Sequence, residues 1–144
     1  MSKVYQLLLS LMFFHIFTYN GVNAAHHVSS SNQTDSVLYQ DVILTLLSPQ
    51  IEKEVHQYYS KLLTEPPTFS PYYGTEMTID RPGGYRTSQF IVKVKVTPYV
   101  GPHIAVGEDL ITFSINGGGQ VKVLGYKHLE DHKLPPHWKH IKRQ

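Results

Sequence analysis

From Arg86 to Thr97 the chain reads RTSQFIVKVKVT, with Phe90, Val92, Val94 and Val96 on one side of an extended backbone and Lys93, Lys95 and Thr97 on the other. Alternation of this kind buries one face and wets the other, which is the pattern of an antiparallel strand covered on a single side. Such a strand needs neighbours for its backbone and a cover for its apolar face. Further period-two stretches supply neighbours: Thr75–Arg81, with Met77 and Ile79 on one face, Leu110–Ile115 and Val121–Lys127. Pro82-Gly83-Gly84, Gly101-Pro102-His103 and Asn116-Gly117-Gly118-Gly119 are the turns between them. Ile104–Val106 extends the third strand past a bulge near Gly107. The reading is a meander of about four strands.

The cover comes before the sheet in the sequence. Ser36–Leu47 carries Leu38, Val42 and Leu46 at i, i+4 and i+8, with Ile43 and Leu47 widening the stripe. Ser48-Pro49 then reads as the cap and first residue of a second helix to about Leu63. Its apolar face is Ile51, Val55, Tyr58, Tyr59 and Leu62, opposite Glu52, Lys53, Glu54, Gln57 and Lys61. Glu65–Pro71 is too rich in proline for helix and reads as an extended connector. The expected fold is therefore α+β, two N-terminal helices packed on a curved antiparallel sheet of about four strands. That is the outline of cystatin-like or nuclear-transport-factor-like rolls, a likeness of fold that carries no function. Near the C-terminus Pro136 starts a last helical turn through Ile141, with Trp138 and Ile141 on the side that caps the core.

The N-terminus reads as an export signal. Lys3 precedes an apolar run from Leu7 to Thr18, Tyr19-Asn20-Gly21 ends it, and Val22-Asn23-Ala24 presents small residues for cleavage. The run is too short to span a bilayer, which takes about 20 apolar residues. Residues 1–24 are thus read as a signal peptide cleaved near Ala24, 25–35 as a flexible linker, and 36–144 as one domain. The product is expected to be secreted or associated with the cell envelope, with a membrane partner only if the signal stays attached. The chain has no cysteine, so an exported domain must be held by its core alone. Cysteine-free export suits a Gram-positive cell. The 13 Lys and Arg, one of them Lys3, face 11 Asp and Glu, and no basic face is visible that would mark nucleic-acid binding. The basic tail Lys139–Arg143 reads as a solvated terminus.

Several segments resemble a known family. They are Gln57-Tyr58-Tyr59 with Pro66-Pro67, Thr97-Pro98-Tyr99-Val100-Gly101-Pro102-His103, Thr112-Phe113, Lys127-His128-Leu129-Glu130, and Leu134-Pro135-Pro136-His137-Trp138-Lys139-His140-Ile141. Together they look like a family of small exported Bacillus-type proteins catalogued only as a domain of unknown function, over roughly residues 36–142. The resemblance implies export and a single domain and supplies no activity. It places His103, His128, His137 and His140 in motif segments.

Those four histidines are the candidate metal ligands, with zinc as the ion, because imidazole and carboxylate are its usual donors and Glu130 and Asp131 lie close in sequence. The second candidate set is aromatic. Tyr72, Tyr73, Tyr85, Tyr99 and Trp138 fall in loops or at element ends, where rings serve recognition. Nucleophilic catalysis has no support, since there is neither a G-x-S-x-G elbow nor a cysteine. Asp109, just after Gly107-Glu108, reads as a turn residue. No catalytic residue is assigned. The leading expectation is a non-enzymatic module that binds a protein, peptide or envelope polymer without a cofactor. The alternative is a histidine-rich metal-binding protein or metal-dependent hydrolase.

Overall fold

The structure is a computed structural model that describes residues 34–144. The segment read as a signal, and the stretch read as a linker as far as Gln33, lie outside the described residues. The order of elements is α1 (Asp35–Tyr59), β1 (Glu76–Asp80), β2 (Phe90–Val96), β3 (Tyr99–Val100), β4 (Ile104–Ala105), β5 (Gly107–Ile115), β6 (Val121–Asp131) and a short 3₁₀ helix (Pro136–Ile141). Strands β1, β2, β5 and β6 form one sheet in that order, each pair antiparallel.

The period-two reading holds through β1 and β2 and along β5, while β6 keeps it only between two bulges. Met77 sits opposite Val94, which sits opposite Ile111 and, beyond it, Tyr126. Ile79, Val92, Phe113 and Val123 make the next row. Val92, Val94, Val96, Ile111 and Phe113 are buried. On the opposite face Lys95 lies between Glu76 and Glu108 at 3.6 and 3.3 Å, and Lys93 reaches Asp80 at 3.6 Å. One departure is local: Ile104–Ala105 pairs with Tyr99–Val100 in a small hairpin rather than extending β5.

A single helix, not two, covers the sheet. α1 runs through Pro49 without a break. A proline inside a helix removes one backbone hydrogen bond and costs about 3 kcal/mol. What holds the helix together is the spacing of its buried residues, Leu44, Leu47, Ile51, Val55 and Tyr59. These step by three or four straight past the proline, so both halves bury one continuous stripe. The same spacing overturns the expected N-terminal stripe. Stepping back from Ile51 lands on Leu47 and Leu44, which leaves Leu38, Val42 and Leu46 exposed. The helix also ends at Tyr59, and Leu62 is 42 % exposed.

The C-terminal segment closes one end of the core, as its pattern suggested. Ile141 is fully buried and Leu134 nearly so. Leu62–Thr64 and Ile141–Arg143 pair as a short antiparallel ladder, with Thr64 N–H donating to Ile141 O and Arg143 N–H to Leu62 O at 2.8 Å each. Trp138 packs against Gly101, which takes φ +49° and has no room for a Cβ beneath the indole.

Candidate functional site

At the end of the sheet where β5 starts and β6 finishes, a cleft of about 590 Å³ opens between the residues after α1, the end of β6 and the C-terminal segment. Its floor is apolar, from Leu63, Val106 and Leu134. Lys61, Lys133, Lys142 and Arg143 stand around it. None of these four cations has a carboxylate within ion-pair distance among the described residues. The Arg143 side chain is fixed in place, because its Nε–H donates to Leu63 O at 2.9 Å. A guanidinium held through Nε keeps both terminal nitrogens for a ligand. A second, smaller cleft lined by Lys133, Leu134, Pro136, Lys139 and Lys142 adjoins the first and shares three of its residues.

Tyr59 and Asp131 form one corner of the cleft, and both join a polar network under the sheet end, Tyr59 from its buried side and Asp131 from its exposed rim. Its centre is Asp109, which is fully buried. Asp109 accepts from the Tyr59 hydroxyl at 3.0 Å and from His128 Nδ1 at 2.7 Å, while His128 Nε2 lies 3.2 Å from Asp131. The Tyr58 ring stacks on His128 at 4.9 Å and on Tyr126 at 5.2 Å. Asp109 is therefore no turn residue. It sits in β5 opposite His128, on the core face of the sheet. Two register shifts along β6 leave Leu124 and Leu129 as extra residues, and they are exposed. The bulge at Leu129 sets His128 against Asp109. Gly107 makes the close approach possible, since a Cβ there would come within 2.5 Å of the Tyr59 hydroxyl and 2.6 Å of Glu130 O.

The network ties α1 to β5 and β6 through Tyr59, Asp109 and His128. The imidazole of His128 has a carboxylate oxygen within hydrogen-bond distance of each ring nitrogen, Asp109 at Nδ1 and Asp131 at Nε2. Burial first, and then the charge of Asp109, push the Tyr59 and Tyr126 phenols far above the ordinary tyrosine range. The same causes raise Tyr58. All three stay neutral near pH 7 and cannot act there as bases or nucleophiles.

The residues singled out from sequence are spread over several places. His128 belongs to the buried network. His103, at φ +63°, stacks on Tyr99 at 4.6 Å. His137 and His140 flank Trp138, and His140 Nδ1 donates to His137 O at 2.9 Å. Among the described residues no three His, Asp or Glu side chains form a group set to hold a metal ion. Tyr72 and Tyr73 are well exposed and precede β1, at the same sheet end as Tyr99. Tyr85, at 89 % exposure, lies in the β1–β2 connection at the opposite end. The five aromatic residues thus do not make one surface. Sequence reasoning missed Asp109, Tyr59 and the cations of the cleft. Part of the signal for the last was the basic tail Lys139–Arg143, read as a solvated terminus; Lys142 and Arg143 are indeed exposed, but their backbone pairs with Leu62–Thr64 and both line the cleft.

A family model described as "Protein of unknown function (DUF3888)" matches residues 39–130. No curated protein and no solved structure matches the chain. The match spans more than half of the sequence, from within α1 to the penultimate residue of β6, and the chain belongs to that family.

Proposed function

We propose that this member of a family without an assigned activity is an exported, non-enzymatic binding module, and that it takes a component of the cell envelope in the cleft beside Tyr59. The observation that carries this reading is the pairing of an open cleft of about 590 Å³ with a neighbouring polar network in which Tyr59, Asp109 and His128 are bonded to one another. Ligand sites are characteristically concave, floored by apolar groups and rimmed by a few convergent polar ones. Here the groups best placed for acid–base chemistry are committed to one another, while the cations of the cleft are not. Tyr72, Tyr73, Tyr99 and Trp138 lie at the same sheet end and would extend the contact surface. The run Leu7–Thr18 followed by Val22-Asn23-Ala24 supports export.

Expression from Met1 in a Gram-positive host tests both parts. The product in the medium is expected to begin at Ala25 by intact mass, and a product retained in cells with residues 1–24 attached overturns export. Incubated with purified cell-wall sacculi, the mature domain is expected to sediment with them and to release no soluble fragments. Failure to sediment overturns the binding role, and release of fragments overturns the non-enzymatic one.

A further inference from the structure

We infer that the cleft recognises a phosphate ester joined to a short apolar group, a deduction that rests on reading the chain as a binding module. Charge is the first reason. Lys61, Lys133, Lys142 and Arg143 face the cleft with Asp131 as the one acidic side chain in its lining, and Asp131 is already engaged by His128. A terminal carboxylate on Gln144 would still leave the balance positive. Elsewhere in the domain Lys93 and Lys95 are matched by acids across the strands, and Lys53, Lys122 and Lys127 stand singly on the surface rather than around one cleft. The cleft thus concentrates charge that the protein itself does not neutralise, which is the footprint of an anionic partner.

Geometry is the second reason. Arg143 is tethered through Nε to Leu63 O, so its remaining N–H groups form a fixed fork. A fixed fork suits two oxygens of one phosphate or carboxylate. Lysines on several sides add point charges around a group with more than two oxygens, and this favours phosphate over carboxylate. The floor is the third reason. Leu63, Val106 and Leu134 offer an apolar base that a bare inorganic ion would leave uncovered. A ligand filling the cleft therefore carries both parts.

Protein-observed NMR with hexyl phosphate tests this on the mature domain. Saturable shifts are expected at amides of residues 61–63, 131–134 and 141–143, with affinity at least about tenfold above that for inorganic phosphate and for neutral hexyl glucoside, since about 1.4 kcal/mol from either half gives a factor of ten. Lys133→Gln with Lys142→Gln is expected to weaken hexyl phosphate binding by about tenfold or more with the spectrum otherwise intact, as is raising ionic strength. Lys122→Gln with Lys127→Gln on the outer sheet face is expected to leave it unchanged. Arg143→Lys keeps the charge and is expected to lose affinity through the lost fork.

Competition then separates the sources of the ester. Displacement by phosphatidylglycerol vesicles identifies a lipid headgroup, and displacement by soluble poly(glycerol phosphate) identifies an envelope polymer. Displacement by neither identifies a small soluble ester. Equal binding of hexyl glucoside, shifts scattered away from the cleft, or no saturation overturns the inference. If sacculi sediment the domain while hexyl phosphate does not bind, the phosphate inference fails and the binding module stands. If hexyl phosphate binds and is cleaved to hexanol and phosphate, the anion site stands and the non-enzymatic reading fails.

Discussion

Asp109 shows how much one buried carboxylate can organise. A charge removed from water is tolerated only when donors surround it, and Asp109 has the Tyr59 hydroxyl and the His128 imidazole. Tyr126 lies close enough to Asp109 for that carboxylate to raise its phenol, yet its buried hydroxyl makes no well-formed hydrogen bond. The two tyrosines should therefore respond oppositely to loss of the hydroxyl. Tyr59→Phe removes a hydrogen bond to a charged acceptor and is expected to cost about 2 kcal/mol. Tyr126→Phe removes a hydroxyl without a well-formed hydrogen bond and is expected to be neutral or to stabilise by up to about 1 kcal/mol. Urea midpoints at pH 7 distinguish them, and equal losses contradict the network. Alkaline pH adds a second readout. The folded-state value of Tyr59 is raised above its unfolded value of 10.0, so its contribution is complete below about pH 10 and declines above it, as the unfolded chain ionises first. Tyr59→Phe is expected to lose stability less steeply than the parent above pH 10. None of this was legible in the sequence. Asp109 occupies an inward position of an alternating strand, but one acid among apolar neighbours gives no sign of which tyrosine and which histidine will meet it from 50 and 19 residues away.

At the scale of elements, legibility followed the period. The strands were readable because alternation survives in short windows, and the 3₁₀ turn after Pro136 because proline at its start and Ile141 at its end mark it locally. β6 was readable only in part, because Leu124 and Leu129 each break the alternation by one residue. The helix was misread at Pro49 for a different reason. Local rules end a helix there, and only burial across the join of Leu47 and Ile51 overrides them. Ser48 Oγ–H donates to Leu44 O at 2.8 Å and Thr45 Oγ1–H to Asp41 O at 2.8 Å, so hydroxyls also return to the backbone of the turn before the proline. Pro49→Ala is expected to restore the missing donor to Thr45 O and raise stability by about 2 kcal/mol, the helix gain of about 3 kcal/mol exceeding the proline's restraint of the unfolded chain of about 0.4–1 kcal/mol. For a domain of this size that is a rise of several degrees in Tm, read by circular dichroism. A fall in Tm instead shows that the proline's local geometry is what brings Leu44 and Leu47 onto the sheet.

The whole molecule has to hold itself together without a covalent staple, since it has no cysteine. Net stabilities of single domains are about 5–15 kcal/mol, so the closure of the core at its open end carries weight. That closure comes from residues beyond the family match, which stops at Glu130. Leu134 and Ile141 are buried, Trp138 packs on Gly101, and the Ile141–Arg143 backbone pairs with Leu62–Thr64. Burying an isoleucine or leucine side chain contributes about 1.5–3 kcal/mol each. Their joint loss approaches the stability of the domain. A chain ending at Asp131 is accordingly expected to lose its cooperative thermal transition and to bind a hydrophobic dye. Ile141→Ala alone is expected to cost about 3 kcal/mol and keep a cooperative transition at lower temperature. Scanning calorimetry of both variants decides the matter. A truncated chain that still melts cooperatively within a few degrees of the parent means that the segment rests on a core already complete. The same segment contributes Lys133, Lys142 and Arg143 to the cleft, so a truncated chain that melts like the parent would make the charged wall separable from the fold. Loss of the transition ties the two together, because the residues that seal the core hold the cations in place.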